Sequence, residues 1–440
     1  MLNHLSRASL GHHGVRLQGE AVLQDEHTLY LIVEAADEVR LRAFLEPFQR
    51  AGSVDVYPAE SCARAVTRGG CHAPAVPNGP IPALDPEEAC QQAIDAGLVV
   101  HRARPLNCET SLPALVGGVV MPNARFYVRN HFQIPTIEAD TFTLTVKGLV
   151  EWPLTLSLAN LRKMRSQTLI GTLECAGNGR TLFDPPPDGE KWEFGAVSTA
   201  EWTGIPLSEV LDLADPKPGA TDVVFHGADS GTVPGRADPI RFGRSLAIEH
   251  AKRGDALLAF AMNGEPLPVL HGYPLRLIVP RWYAVASVKW LTDIEVTDRP
   301  FLGFYQAERY WYEWPRDGAI VREPVTLQRV RAVITEPAAQ ATVPRGSLAV
   351  RGVAWSGAGP IDRVDVSVND GPWERTELIA EPSRHSWQPW QLMTHVYHAG
   401  ALTLRARATD ADGNTQPTQP EWNRLGYGNN AIQVVPIQAT

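Results

Sequence analysis

From about residue 325 onward, apolar side chains recur at every second position, and each run is closed by turn-forming residues. Val364, Val366 and Val368 alternate with polar neighbours before Asn369-Asp370-Gly371. Leu402, Leu404, Ala406 and Ala408 alternate against Thr403, Arg405 and Arg407, and the run stops at the Asp-Ala-Asp-Gly-Asn stretch of residues 410–414. A period of two places alternate side chains on opposite faces of an extended chain, so each strand offers one apolar face for burial. Short strands punctuated by Gly and Asp turns predict an immunoglobulin-type β-sandwich over 325–440. The whole chain has 440 residues, too many for one ordinary core, and two or three domains are expected.

The two upstream segments have a different character. In the first, residues 1–80, His27–Ala36 reads as a strand, Leu41, Phe44, Leu45 and Phe48 recur at helical spacing, and Gly52 ends the helix. Ser53–Tyr57 alternates as a further strand, and Val15–Leu23 suggests another. This order predicts a small ferredoxin-like α/β module. Pro74, Pro77, Pro80, Pro82 and Pro86 then suit an extended linker. The second segment, 81–324, mixes short strands (Phe142–Val146, Val223–His226, Leu275–Val279) with short helical patterns such as Leu207–Leu213. Strands do not alternate regularly with long helices and no GxGxxG opens a helix, so an α+β domain is expected rather than a doubly wound nucleotide-binding one.

Charge and cysteine usage narrow the function. Forty Lys and Arg face 49 Asp and Glu, a net charge of −9, which argues against a whole-chain nucleic-acid binder. No apolar run approaches the ~18 residues that span a bilayer, so no membrane segment is expected. The amino terminus carries neither an apolar core nor a twin-arginine pair, and five cysteines (Cys62, Cys71, Cys90, Cys108, Cys175) are too few for a disulfide scaffold. A reduced, cytoplasmic protein is the expectation.

The densest cluster of unusual residues is Gly171–Arg180, GTLECAGNGR. Small residues after Cys175 let backbone approach a ligand closely, and Arg180 is near enough in sequence to favour the thiolate. Taken alone, one cysteine is more often a small buried hydrophobe than a ligand. Two further stretches add cationic donors: Arg129-Asn130-His131 beside Phe126 and Tyr127, and His271 to Arg276 with Ser287-Val288-Lys289-Trp290. Donors of this kind on adjoining loops suit a phosphate.

In their order and spacing these stretches resemble the sulfite oxidase family of molybdenum enzymes. The matching pieces are FYVRNHFQIP (126–135), TLECAGNGR (172–180), AFAMNGEPLPVLHGYPLRLIVP (259–280) and SVKWLTDIEV (287–296), and the likeness covers about 105–440. The resemblance implies a mixed α/β molybdopterin domain over 81–324 and a dimerisation domain over 325–440, hence a homodimer. It implies that the Cys175 thiolate binds molybdenum beside the two dithiolene sulfurs of a pyranopterin. It also implies that Tyr127, Val128, Arg129, Asn130, His131, Asp229, His271, Arg276, Ser287, Val288 and Lys289 hold the pterin and its phosphate. By the same likeness Arg129 and Arg180 bind sulfite, Trp192 walls the pocket and Tyr310 is the active-site tyrosine.

Two departures stand out. The family's WNLRG stretch reads Trp422-Asn423-Arg424-Leu425-Gly426 here, with the arginine displaced by one, which leaves the place of Arg424 open. Where the family reads AGNRR, this chain has Gly179 before Arg180. The expected reaction is oxygen-atom transfer to sulfite; a sulfoxide, a sulfane sulfur or nitrate are alternative substrates, and a non-catalytic binding protein is the alternative outside enzymes. No CxxCH or HPGG-like signature is present, so no haem is expected and electrons leave to a separate acceptor protein or to oxygen. His4, His12, His13, Cys62, Cys71 and His72 fit no common zinc spacing, and the first segment reads as a packing or interaction module.

Overall fold

The computed structural model describes residues 15–23, 28–49, 54, 84–115 and 118–440. The chain divides into two compact units, 1–73 and 74–440. In the first, strands Val15–Leu23 and Thr28–Ala35 pair antiparallel and helix Glu38–Gln49 follows. Phe44, Leu45 and Phe48, together with Leu41, lie on one helical stripe, and these three are buried in a core with Val15. Apart from Val54, which lies outside any strand, the strand expected at 53–57 falls beyond the described residues, as do the six histidines and cysteines weighed as a zinc site.

The second unit opens with helix Pro86–Asp95. Asp85 caps it, its carboxylate accepting from the N–H groups of Glu87 and Glu88 at 2.8 and 3.1 Å, and Pro86 occupies the first turn, where no donor is needed. Pro86 therefore begins a helix rather than prolonging a linker. Ala89 and Ala93 bury one helix face in a core shared with the hairpin Leu98–Ala103 and Leu106–Thr110.

Two five-stranded sheets follow. One runs Ile240–Ala247, Asp222–Gly231, Leu291–Thr297, Thr143–Gly148, Leu154–Ser157, with a single parallel pairing between Leu291–Thr297 and Thr143–Gly148. The other is antiparallel, running Glu265–Pro266, Leu257–Met262, Val197–Pro206, Gln167–Glu174, with Arg276–Ile278 paired to Leu257–Met262. Helix Leu207–Ala214 buries Leu207, Val210, Leu211 and Ala214 in the largest core, beside Leu144, Val146, Phe225 and Ile294 of the first sheet.

Towards the carboxyl end, a four-stranded sheet (Arg331–Glu336, Gly346–Trp355, Gln388–Val396, Glu377–Leu378) faces a five-stranded one (Thr342–Val343, Val434–Ala439, Gly400–Asp410, Ile361–Val368, Glu374–Arg375). Val364, Val366, Leu404, Ala406 and Ala408 all point into the shared core, against Val350 and Trp390. Asn369 and Asp370 take φ of 51° and 56°, the left-handed conformation that a tight hairpin turn asks of its central residues. The protein is thus mixed α/β, dominated by strands. Among the described residues no helix is long and apolar enough to cross a membrane.

Candidate active site

Cys175 follows directly on strand Gln167–Glu174, and the chain leaves the sheet in a small-residue turn. Its N–H donates to Ala196 O at 2.9 Å and its carbonyl accepts from the Asn178 N–H at 2.9 Å, so the backbone is tied on both sides. The thiol lines a cavity of about 670 Å³ including its mouth. The cavity brings together Tyr127, Arg129, Asn130, His131, Asp229, His271, Arg276, Ser287, Lys289 and Tyr310, residues drawn from stretches up to 183 positions apart (127 to 310).

Four of the expected residues do not line that cavity. Val128 is buried and pairs its backbone with Cys108 in both directions, at 3.0 and 2.9 Å, which anchors the segment rather than a ligand. Val288 is wholly buried core. Arg180 and Trp192 lie in the wall behind the cysteine turn. Arg180 donates to Glu190 O at 3.1 Å, and a Cβ placed on Gly177 would stand 2.4 Å from its guanidinium, so only glycine leaves it room. Trp192 is fully buried with its ring edge-on to His101 at 5.2 Å. Arg424 lies outside the cavity as well: it is exposed and forks onto Glu313 at 2.7 and 3.1 Å.

Several residues given no role by the sequence reading hold the site in place. Asn107 is fully buried; its Oδ1 accepts from the Asn130 N–H at 2.7 Å and from Arg129 at 3.3 Å. Glu174, next to the cysteine, accepts from Trp355 Nε1 at 2.8 Å and Asn178 Nδ2 at 3.1 Å and pairs with Arg331 at 3.5 Å. Arg331 and Trp355 belong to the C-terminal sheets, so the sandwich grips the strand that presents the thiol. Gly428 N–H to Ala176 O and Asn429 Nδ2 to Gly179 O, both 2.8 Å, complete that grip.

Burial biases nearly every titratable group of the cavity toward its neutral form. It raises the Cys175 thiol above its ordinary value, although Arg129 and then Arg180 pull the other way; the arginines alone do not make a thiolate here. It lowers His271 to about 3, helped by Lys289 and Arg276, and holds His131 well below the usual histidine range, helped by Arg129. Asp229 rises to about 6 against the opposing charge of Lys289. Arg276 falls to about 10. Neutral His131 meets the Tyr310 hydroxyl at 2.7 Å.

Unspent polar groups remain. Asp229 Oδ1 and Arg276 Nε are buried without a hydrogen-bond partner. Arg276 otherwise donates to His271 O at 2.9 Å and Ser287 O at 3.3 Å, and Lys289 to Leu270 O at 2.9 Å and to Asn130 Oδ1. Negative charge on a guest would satisfy Arg276 and favour the charged forms of His271, Arg276 and Lys289, while hydrogen-bond donors on the same guest would satisfy Asp229. An apolar guest would not.

Comparison with known proteins agrees with this geometry. Residues 131–305 match the family model "Oxidoreductase molybdopterin binding domain", and 323–440 match "Mo-co oxidoreductase dimerisation domain". The chain is 35% identical over 353 residues to chicken (Gallus gallus) sulfite oxidase, an alignment covering 75% of each chain. It is 33% identical over 367 residues to rat (Rattus norvegicus) mitochondrial sulfite oxidase, covering 77% of this chain and 66% of the rat one. The chain belongs to the sulfite oxidase family. Among solved structures, the sulfane dehydrogenase SoxCD of Paracoccus pantotrophus superposes with a TM-score of 0.68 at 26% identity, covering 87% of this chain and 96% of that one. The thiol, the buried carboxylate and the unspent Arg276 donor described above fit a molybdopterin.

Proposed function

We propose that this protein oxidises sulfite to sulfate at a molybdenum–molybdopterin centre held in the cavity around Cys175. The observation that carries the proposal is the convergence of one buried thiol with Arg129, His271, Arg276 and Lys289 in a single cavity of a sulfite oxidase family member. Cys175 would bind the metal through its thiolate, a soft ligand suited to a thiophilic ion. Asn130, Asp229, His271, Arg276, Ser287 and Lys289 would hold the pterin and its phosphate, with Tyr127 and His131 shaping the walls and Val128 and Val288 packed behind them. When bound, the group supplies the two-electron oxygen-atom transfer.

The chain's own share is orientation and electrostatics. Arg129 and Arg180 draw the anion in and offset its charge, Trp192 closes the wall behind them, and Tyr310, held on His131, offers a hydroxyl to the cavity. Sulfite and water yield sulfate, two protons and two electrons, and the electrons pass to an external acceptor, a separate protein or oxygen. We place the protein in the cytoplasm, as a homodimer joined through residues from about 325 in an immunoglobulin-type sandwich. The domain limits 81–324 and 325–440, and a packing or interaction role for 1–80, belong to the same proposal.

A second reading keeps the cofactor and changes the substrate to a sulfane sulfur. Arg424 stands outside the cavity, which leaves the anion site with fewer cations, and the likeness to a sulfane dehydrogenase fits that. Purified protein assayed with sulfite and an artificial one-electron acceptor tests the first reading. Turnover with sulfite supports it; turnover with a sulfane compound alone favours the second.

A further inference from the structure

Between two residues of the proposed anion site lies a third that no motif marks. Tyr427 is buried, 7% exposed. Its ring stacks on that of Tyr310, with centroids 4.8 Å apart and planes 13° from parallel. Arg180 Cζ lies 5.4 Å from the Tyr427 centroid, and Arg244 Cζ 5.7 Å from that of Tyr310. Contacts therefore run in series from Arg180 to Tyr427, Tyr310 and Arg244, each cation beside a ring face whose quadrupole attracts it.

The backbone around Tyr427 is fixed on every side. Its N–H donates to Asn423 Oδ1 at 2.9 Å, and its carbonyl accepts from Asn423 Nδ2 at 2.8 Å. Gly426 and Gly428, on either flank, both take φ +63°. A Cβ on Gly426 would stand 2.9 Å from Arg180 Cγ, and one on Gly428 2.5 Å from the Tyr312 hydroxyl. Tyr310 itself has φ +60°, an uncommon conformation for a bulky residue, so its surroundings must hold it there.

We propose that Tyr427 is a positioning residue for the anion site, its ring fixing Tyr310 and Arg180 against one another so that a C-terminal loop sets how tightly an oxyanion is held. The proposal rests on the sulfite-oxidising reading and names a residue that tunes it. It goes beyond packing because both neighbours of the ring are polar groups assigned to substrate, and because Arg424, in the same loop, is committed to Glu313.

The test compares the holoenzyme with Y427F and Y427L, reading kcat and KM for sulfite and the Kd of sulfate by calorimetry. Loss of one ring stack and one cation–ring contact corresponds to about a tenfold change in affinity. Y427L is expected to raise KM and the sulfate Kd about tenfold, with kcat moving much less and molybdenum content unchanged. Y427F, which keeps the ring, is expected to recover parental KM and Kd within about twofold. Parental values in Y427L, or a Y427F as weak as Y427L, would overturn the proposal. Should Y427L not accumulate as loaded protein, Y427M fills the same volume without a ring and carries the same expectation. If the parent does not oxidise sulfite at all, the functional reading fails, while the sulfate affinities still decide the role of Tyr427.

Discussion

Cys175 meets two opposed demands: as the proposed metal ligand it would have to be a thiolate, and in a buried wall it is held as a thiol. Only a cation at the sulfur resolves this, which makes the residue specific to its task. C175S is expected to abolish turnover, to below about 1% of the parent, because a hydroxyl is a poor donor to a soft metal; a fully active variant would contradict the ligand assignment. The arginines separate in the same way. R180M is expected to raise KM for sulfite about tenfold or more, whereas R424A, whose partner is a surface carboxylate, should stay within about twofold. His271 offers a pH signature. Its folded pKa, about 3, lies below the ordinary 6.5, so the unfolded chain binds the extra proton. The stability it contributes is complete above pH 6.5 and is lost as pH falls toward 3. Thermal melts of cofactor-free protein and H271N across that window should show the shallower acid slope in the variant. The residues legible in the sequence were those whose type is rare or chemically costly: a cysteine before small residues, a histidine beside an arginine, clustered cations. Asn107, Glu174, Arg331 and Tyr427 escaped notice because each is an ordinary polar or aromatic residue, given its role only by contact with a remote segment.

At the scale of elements, the strand that presents the thiol is secured from outside its own sheet. Glu174 and Arg331 are each nearly fully buried, 2% and 1% exposed, and burial raises the Glu174 carboxyl while Arg331 opposes the rise. Removing one partner strands the other charge. R331M is expected to cost about 3–5 kcal/mol and to lower the melting temperature, and adding E174Q should recover part of that loss. Calorimetric melts of the two single variants and the double variant measure the coupling; strictly additive effects would show that the pair does not interact. Alternation announced the strands Ile361–Val368 and Gly400–Asp410, and helical spacing announced Glu38–Gln49 and Leu207–Ala214, because one-sided burial writes a period into the chain. An apolar run likewise announced Arg276–Ile278, within Leu275–Val279. Glu265–Pro266 is too short to carry a period, and the all-buried strand Leu257–Met262 and the pairing order of the two central sheets left no such trace, since burial on both faces erases alternation.

At the scale of the whole molecule, residues 323–440 match a dimerisation domain and also back the turn after Cys175 in their own chain. The two duties are separable by experiment. Sedimentation at micromolar concentration is expected to show a dimer, and elemental analysis about one molybdenum per chain; a monomer that still holds metal would keep the site and discard the assembly.

The clasp of Gly428 and Asn429 on the turn after Cys175 also sets an order of events in the cell. While the ribosome is still reading the codons before position 430, the turn lacks this backing. The cavity wall around Cys175 is therefore complete only when translation is nearly finished. A stop codon at position 428 would yield a polypeptide that retains Cys175 and the cationic stretches and yet lacks both hydrogen bonds that back the turn.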